Sequence, residues 1–480
     1  MPAQGLKDLD AVVEQYATSN FSPSGIVTVA KGGEIVETRT WGGDGYDVTT
    51  PFRIASCTKS FTALALLILR REGRLGLDDE VVRHVPELQV VAPEGWPVLR
   101  LRHLLAMSGG LATDNPWGDR QESRSREQLS AWLAGGLRLD SPPGDAYEYS
   151  NLGYAVLGEV ITRVSGQDFK EFVRERIIDP LGLPDTRFAA DDLPTTARGN
   201  HREPMLPGQP GGWTVQRASG PGVFSPIGGL YSSARDLVAW AHLHMHQAVP
   251  VGATFTAADL AEGQQPLTHV ETSHAPRPLR GLVTRAYGYG LNVERFTDHG
   301  VLVSHAGGYP GFTAYMCWHA DSGHTVIASA NGTHSGVPDL ARRVMFPLMA
   351  AGGGSPAAIE PWPETLAAAR AVDDLVREAR TGSPAEVAER YARVFAENAE
   401  LDFPLARRVE YLRQAFVNLG ELRPRGEPAL THERPARAGW SVPAEFGKLE
   451  LYIELAPVAP FGVQTFEVVV QNGWGKVELF

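Results

Sequence analysis

A chain of 480 residues with 43% hydrophobic and 21% charged side chains is too apolar to be disordered or fibrous, and too long for one compact core. A large domain with a smaller companion is expected. The formal net charge of −12 repels phosphate backbones and anionic lipid, so nucleic acid and membrane are set aside as main partners in favour of a small-molecule or peptide substrate.

The first residues, MPAQGLKDLDAVVEQYA, lack a positive region followed by an apolar one and read as an amphipathic helix and not as an export signal. The longest apolar stretch, Ala63 to Leu69, falls far short of the ~20 residues that a membrane span requires. A cytoplasmic location is the resulting expectation. Residues 25–41 hold two β-rich runs around Lys31-Gly-Gly-Glu34, a hairpin signal. From Ser56 to about Arg74 the apolar residues run without a breaker, which predicts a buried helix. Further helices are expected over 153–165 and 235–246. Strand-like segments from 288 to 331, separated by Asp-His-Gly, Pro-Gly and Asp-Ser-Gly turns, predict an antiparallel meander. Residues 339–351 read as a closing helix. The Gly/Pro-rich stretch 352–363 is the expected linker, so the domains are placed at 1–351 and 364–480. Beyond the linker, helical runs at 364–380, 385–399 and 404–419 precede β-rich pieces at 448–456 and 463–470, a small α+β unit.

Chemistry concentrates in the first domain. The chain has six lysines, and of these only Lys59 stands three residues after a serine, in Ser56-Cys57-Thr58-Lys59. On a helix that spacing puts both side chains on one face. A serine hydroxyl needs a neighbouring base to become a nucleophile, and a lysine serves only when burial or a nearby charge lowers its pKa. Taken alone, the pair fits equally an exposed lysine beside a helix-capping serine. Downstream, the turn-rich Ser141-Pro-Pro-Gly-Asp-Ala-Tyr-Glu segment delivers Tyr149 and Asn151 just before a helix. A phenol or phenolate can relay protons, and a carboxamide can donate to a substrate carbonyl. Ser304-His305-Ala306-Gly307-Gly308 follows on a strand, where glycines let a ligand approach the backbone. Each of these two segments, in isolation, also fits an ordinary loop or a satisfied histidine.

In this order and spacing, Ser-x-x-Lys, Tyr-x-Asn and His-x-Gly resemble the serine β-lactamases, DD-peptidases and related esterases of the penicillin-binding-protein superfamily. The resemblance spans about residues 8–350 and includes Pro51-Phe-Arg-Ile-Ala-Ser56, Leu101-Arg-His-Leu-Leu-Ala-Met-Ser-Gly-Gly-Leu111 and Ser225-Pro-Ile-Gly-Gly-Leu-Tyr-Ser-Ser-Ala-Arg-Asp236. It implies an α/β (α+β) fold with a central antiparallel sheet flanked by helices and an all-helical subdomain. It also implies an acyl-enzyme on Ser56, with Lys59 as base, Tyr149 as proton relay, Asn151 beside it and His305 in the third motif. The Ser56 and Gly308 N–H groups would form the oxyanion hole. Where efficient β-lactamases usually carry Lys-Thr-Gly or Lys-Ser-Gly, this chain has His305, expected to be only partly charged near neutral pH. That departure points toward D-amino-acid peptides, amides or esters as substrates. Acyl transfer or peptide cyclisation by the same residues, β-lactam hydrolysis and non-catalytic binding are the competing readings. No cofactor is implied, and the oligomeric state stays open.

Lesser signals complete the survey. In Asp114-Asn-Pro-Trp117-Gly-Asp119-Arg120, Trp117 either covers the acyl group or anchors a rigid loop. His242, His244 and His246 have helical spacing for zinc but no acidic third ligand, and read as a polar helix face. Cys57 is expected to pack and not to react. Cys57 and Cys317 make no disulfide framework, and reduced thiols are the default although one bridge is open. Asn331-Gly-Thr333 reads as a strand-end turn, and 423–437 as a solvated loop.

Overall fold

The computed structural model describes residues 9–19, 21–202, 212–217, 219–246, 248–272, 282–297, 299–352, 360–423, 435–472 and 475–479. It divides into two compact units, Met1–Ser355 and Pro356–Phe480. Most of the expected linker and most of the expected arginine-rich loop lie outside the described residues.

The first unit opens with α1 (Leu9–Thr18), β1 (Gly25–Lys31) and β2 (Glu34–Trp41). Gly32 and Gly33 take φ of 59° and 86°, the positive values that a two-residue hairpin turn demands at both centres. The helices that position the site are α2 (Thr58–Arg71), α3 (Asn151–Ser165) and α4 (Ala234–His246). Then come β3 (Thr268–Thr272), β4 (Leu282–Tyr287), β5 (Asn292–Phe296), β6 (Gly300–Tyr309), β7 (Phe312–His319), β8 (His324–Ala330) and α5 (Val337–Gly352).

These strands form one antiparallel sheet of eight, ordered β2-β1-β8-β7-β6-β5-β4-β3. Every residue of β7 and of β8 is buried, because helices cover both faces of the central strands. Alternation assigns the faces. Val326 and Ala328 pack with α1 and α5 around Leu9, Val13, Leu340 and Leu348. Ile327 points the other way, into the main core with Phe61, Leu64 and Trp240. Helix α2 is buried continuously from Thr58 to Leu69, as expected of a helix apolar on all sides. The helical subdomain includes Leu101–Leu105, Arg126–Ala134, α3 and Phe169–Val173.

The second unit holds α6 (Pro363–Glu378), α7 (Pro384–Tyr391), α8 (Glu397–Asp402) and α9 (Leu405–Leu419), then β9 (Arg437–Ala444), β10 (Gly447–Leu455), β11 (Val463–Asn472) and β12 (Gly475–Glu478) in a meander. Two expectations need correcting here. The helix expected over 385–399 is broken, because the backbone at Phe395 turns extended and bridges Val463, with Ala396 N donating to Val463 O at 2.9 Å. Tertiary pairing overrides helical propensity at that point. The unforeseen β9 carries Pro443, which a strand tolerates at the sheet edge that β9 occupies.

Candidate active site

The chain reaches Ser56 through a short strand, Phe52–Arg53, paired with Tyr231–Ser232. Arg53 lies buried between the Tyr309 and Tyr231 rings and is ion-paired to the buried Glu122, which pins this entry. Ala55 adopts φ of 48°, a left-handed geometry that costs a residue with a Cβ about 1–2 kcal/mol. A 3-10 turn, Ala55–Cys57, then runs straight into α2. Ser56 therefore sits at the helix entrance, 7% exposed.

Lys59 lies one turn further on, with no solvent exposure. Its Nζ donates to Ser56 Oγ at 3.1 Å, Asn151 Oδ1 at 2.7 Å and Ile227 O at 2.8 Å. These acceptors are all uncharged. Burial drives the Lys59 pKa far below that of an ordinary lysine, opposed by the charges of Asp119 and Asp114. Burial likewise raises Asp119 above the usual carboxylate range, against the pull of Lys59.

Tyr149 and Asn151 come from the start of α3, whose N-cap Ser150 accepts from Gly153 N. Asp114 reinforces this terminus by accepting from Asn151 N at 2.7 Å and Leu152 N at 2.8 Å. Asn151 is buried, and its Nδ2 donates to Asn115 Oδ1 at 3.0 Å and to Asp119 Oδ1 at 3.5 Å. The amide expected to meet a substrate carbonyl is thus occupied on both sides, and its contact is with the lysine. Gly118 is required beside it, since a Cβ there would stand 2.7 Å from Asn151 Cβ. The ring of Tyr149 lies 4.9 Å from Lys59 Nζ. Desolvation raises the pKa of its phenol well above the ordinary value, opposed by the nearby Ser56 hydroxyl. The group is a neutral phenol, not a phenolate.

Strand β6 completes the site by pressing on the turn before Ser56. A Cβ on Gly307 would stand 2.2 Å from Ile54 O, and Cys57 Sγ donates to His305 O at 3.3 Å. A Cβ on Gly308 would meet nothing within 4 Å, which leaves open space over that peptide. His305 is 2% exposed. Its Nδ1 lies 2.6 Å from Ala306 O and its Nε2 3.0 Å from the Tyr287 hydroxyl. A carbonyl only accepts, so Nδ1 carries the proton and Nε2 accepts from Tyr287. Burial and the nearby Lys59 charge push the imidazole pKa down to about 3. The expectation of a partly charged His305 near neutral pH is therefore corrected: it is a neutral, internally satisfied ring that contacts the Tyr149 neighbourhood.

Trp117 is 42% exposed, and its indole packs on Trp132 and Phe224. Cys57 and Cys317 are free and buried, and burial pushes the Cys57 thiol up to about 12. His244 departs from the expected polar face, because it is buried between Trp240 and Trp318. Among the described residues no cluster of His, Cys, Asp or Glu could hold a metal, and no helix is long and apolar enough to cross a membrane. The sequence reading missed Asp114, Asn115, Asp119 and Tyr287 as site residues. The three residues from the Asp114–Asp119 loop reach Asn151 through a contact more than thirty positions away in sequence, which no local spacing reveals.

Comparison with known proteins bears on this arrangement. A family model described as Beta-lactamase matches residues 9–346. Protein flp of Staphylococcus aureus (strain COL) is 30% identical over 189 residues, 38% of this chain and 38% of that protein. Beta-lactamase-like protein 2 of Dictyostelium discoideum is 29% identical over 252 residues, 48% of this chain and 44% of its own. The matched region therefore spans less than half the length of these relatives. In fold, the octameric penicillin-binding protein homologue from Pyrococcus abyssi superposes with a TM-score of 0.60 at 18% identity, covering 98% of this chain and 99% of that one. A D-stereospecific amidohydrolase from Streptomyces sp. gives 0.54 at 23% identity, covering 70% and 98%.

Proposed function

The chain belongs to the β-lactamase family, and from that premise we propose that it is a serine hydrolase working through an acyl-enzyme on Ser56, with an ester, amide or peptide containing a D-amino acid as substrate. The observation that carries this reading is the dry Lys59 ammonium, 3.1 Å from Ser56 Oγ and hydrogen-bonded only to uncharged acceptors. Its lowered pKa supplies a neutral amine within proton-transfer distance of the nucleophile. In the proposed mechanism, Lys59 takes the Ser56 proton as Oγ adds to the substrate carbonyl. The Ser56 and Gly308 N–H groups receive the developing oxyanion. Tyr149, a neutral phenol, hands its proton to the leaving group and is reprotonated from Lys59. Water then adds to the acyl carbonyl and gives its proton to Lys59, and the intermediate collapses by breaking the bond to Ser56 Oγ, which takes that proton back as the acid is released. His305 adds no charge, so binding of an antibiotic carboxylate by the third motif finds no support.

The test is covalent. Intact-mass analysis and peptide mapping after fluorophosphonate treatment should place one adduct on Ser56, and Ser56→Ala should abolish it along with ester turnover. An adduct on Cys57, or labelling that survives Ser56→Ala, overturns the assignment.

A further inference from the structure

The segment that joins β4 to β5, Tyr287-Gly-Tyr-Gly290, touches two groups of the site. Gly290, with φ of 72°, stands so close to α2 that a Cβ there would lie 2.5 Å from Lys59 O. A Cβ on Gly288 would lie 2.3 Å from Gly263 O. Close backbone contacts on both sides thus hold the turn in place. Tyr287, at the end of β4, has no solvent exposure. Its hydroxyl lies 3.0 Å from His305 Nε2, and its ring stands edge-on to Tyr149 with centroids 6.4 Å apart. The Tyr149 and His305 rings are also 6.4 Å apart, so the three form one contact group. Nδ1 of His305 donates to Ala306 O at 2.6 Å, which leaves Nε2 as a buried acceptor in need of a donor. Among the described residues whose charge or ring acts on this imidazole, Lys59 is already shared among Ser56, Asn151 and Ile227. Tyr287 and Tyr149 are the remaining proton carriers.

We propose that Tyr287 is a positioning residue for the proton relay: its hydroxyl occupies His305 Nε2, so that this nitrogen makes no claim on Tyr149 and the Tyr149 proton stays available to the leaving group. This rests on the acyl-enzyme reading above, in which the leaving oxygen takes the Tyr149 proton as its bond to the acyl carbon breaks. Without the Tyr287 hydroxyl, Nε2 becomes an unsatisfied buried acceptor, and the neighbouring phenol is drawn to it. A Tyr149 held by the imidazole stays packed but turns its proton away from the substrate. A weakly basic phenolate departs without that proton, whereas a more basic one needs it. Tyr287 therefore governs which leaving groups the enzyme can expel, from a position closed to solvent.

Steady-state kcat/KM, which reports acylation, is measured for p-nitrophenyl, p-chlorophenyl and phenyl valerate, a series with one acyl group and leaving phenols of rising basicity. The enzymes are the wild type, Tyr287→Phe, His305→Phe, the double variant Tyr287→Phe/His305→Phe and Tyr16→Phe, with thermal unfolding to verify folding. Tyr16 is the control, a buried tyrosine in the core on the opposite face of the sheet. Loss of the relay predicts that Tyr287→Phe lowers phenyl valerate about tenfold or more, against less than about threefold for p-nitrophenyl valerate. In the His305→Phe background no imidazole competes for Tyr149, so adding Tyr287→Phe should leave the ratio of the two esters within about twofold. A loss of the same size for all three esters, or no loss, refutes the proposal, as does an equal leaving-group dependence in Tyr16→Phe. A dependence that persists undiminished in the double variant refutes it too. Should the His305→Phe proteins not fold, the contrast between Tyr287→Phe and Tyr16→Phe decides alone. If no ester acylates Ser56 in the wild type, the hydrolase reading itself fails, and the role of Tyr287 with it.

Discussion

The charge environment of Lys59 makes a sharp prediction for Asp119→Asn. Asn151 bridges the two groups, accepting from Lys59 Nζ at 2.7 Å and donating to Asp119 Oδ1 at 3.5 Å, so at most roughly 8 Å separates the ammonium from the carboxylate. At that distance and an effective dielectric near 20, two unit charges attract by about 2 kcal/mol. An ionised Asp119 therefore holds the proton on Lys59, and its removal should lower the lysine pKa by ~1.5. In the proposed mechanism acylation requires neutral Lys59, so kcat/KM should rise with pH through that pKa, and in Asp119→Asn the rise should move ~1.5 pH units toward acid. Below the rise but above about pH 6, where Asp119 is still ionised, neutral lysine becomes up to roughly 30-fold more abundant, and the gain fades at lower pH as Asp119 itself takes up a proton. A weaker base accepts the Ser56 proton less readily, so the net gain there is smaller and the plateau at high pH drops. The assay is kcat/KM for p-nitrophenyl valerate from pH 5 to 10. A rise that stays within ~0.3 pH unit of the wild type would refute the coupling. A shift toward alkali would refute the sign.

Gly307→Ala should cost most of the activity, because its Cβ would stand 2.2 Å from the Ile54 backbone oxygen and drive β6 off the turn before Ser56; burst acylation measures it, and near-wild-type rates would contradict the packing. Glu122→Gln leaves the buried Arg53 guanidinium without its counter-charge and should lower unfolding free energy by ~3–5 kcal/mol in urea titrations. His244, buried between tryptophans with a pKa pushed down to about 3, binds its proton more readily once unfolded. Its contribution is constant above the unfolded value near 6.5 and destabilises by about 1.4 kcal/mol per pH unit as pH falls from there toward 3. His244→Phe should flatten that limb in acid unfolding curves, and a parallel slope in both proteins would count against the account. No step near pH 6–8 from His305 should mark the ratio of acidic to neutral ester turnover, since its imidazole stays neutral down to about 3.

What the sequence discloses about this molecule follows the range of the forces involved. The Lys31-Gly-Gly-Glu34 hairpin and the uninterrupted apolar run behind Ser56 are local patterns, and they fold as their periods demand. Ser56 and Lys59 are legible for the same reason: three residues on a helix fix their neighbourhood. The protonation states were not legible. Whether Tyr149 is phenol or phenolate, and whether His305 is charged, depends on what surrounds each ring, and Tyr287, which takes up His305 Nε2, sits on another strand. The Asp114–Asp119 loop drew notice for its tryptophan, while its polar residues hold Asn151. In the second unit, Pro443 masked a strand because an edge position cannot be read from composition.

The contact between Gly307 and the Ile54 carbonyl also changes how such a motif should be weighed in other chains. This glycine is demanded by the closeness of two backbones, whether or not any ligand is ever bound. A copy of the protein that had lost its nucleophile would remain under the same pressure to keep it, since any larger residue would prise apart the scaffold. Presence of the third motif's glycine therefore certifies an intact architecture and says nothing about turnover. The residues that would distinguish a working enzyme from an inert descendant are those that packing alone does not call for, foremost Lys59, a lysine with no solvent exposure whose Nζ is hydrogen-bonded only to uncharged acceptors.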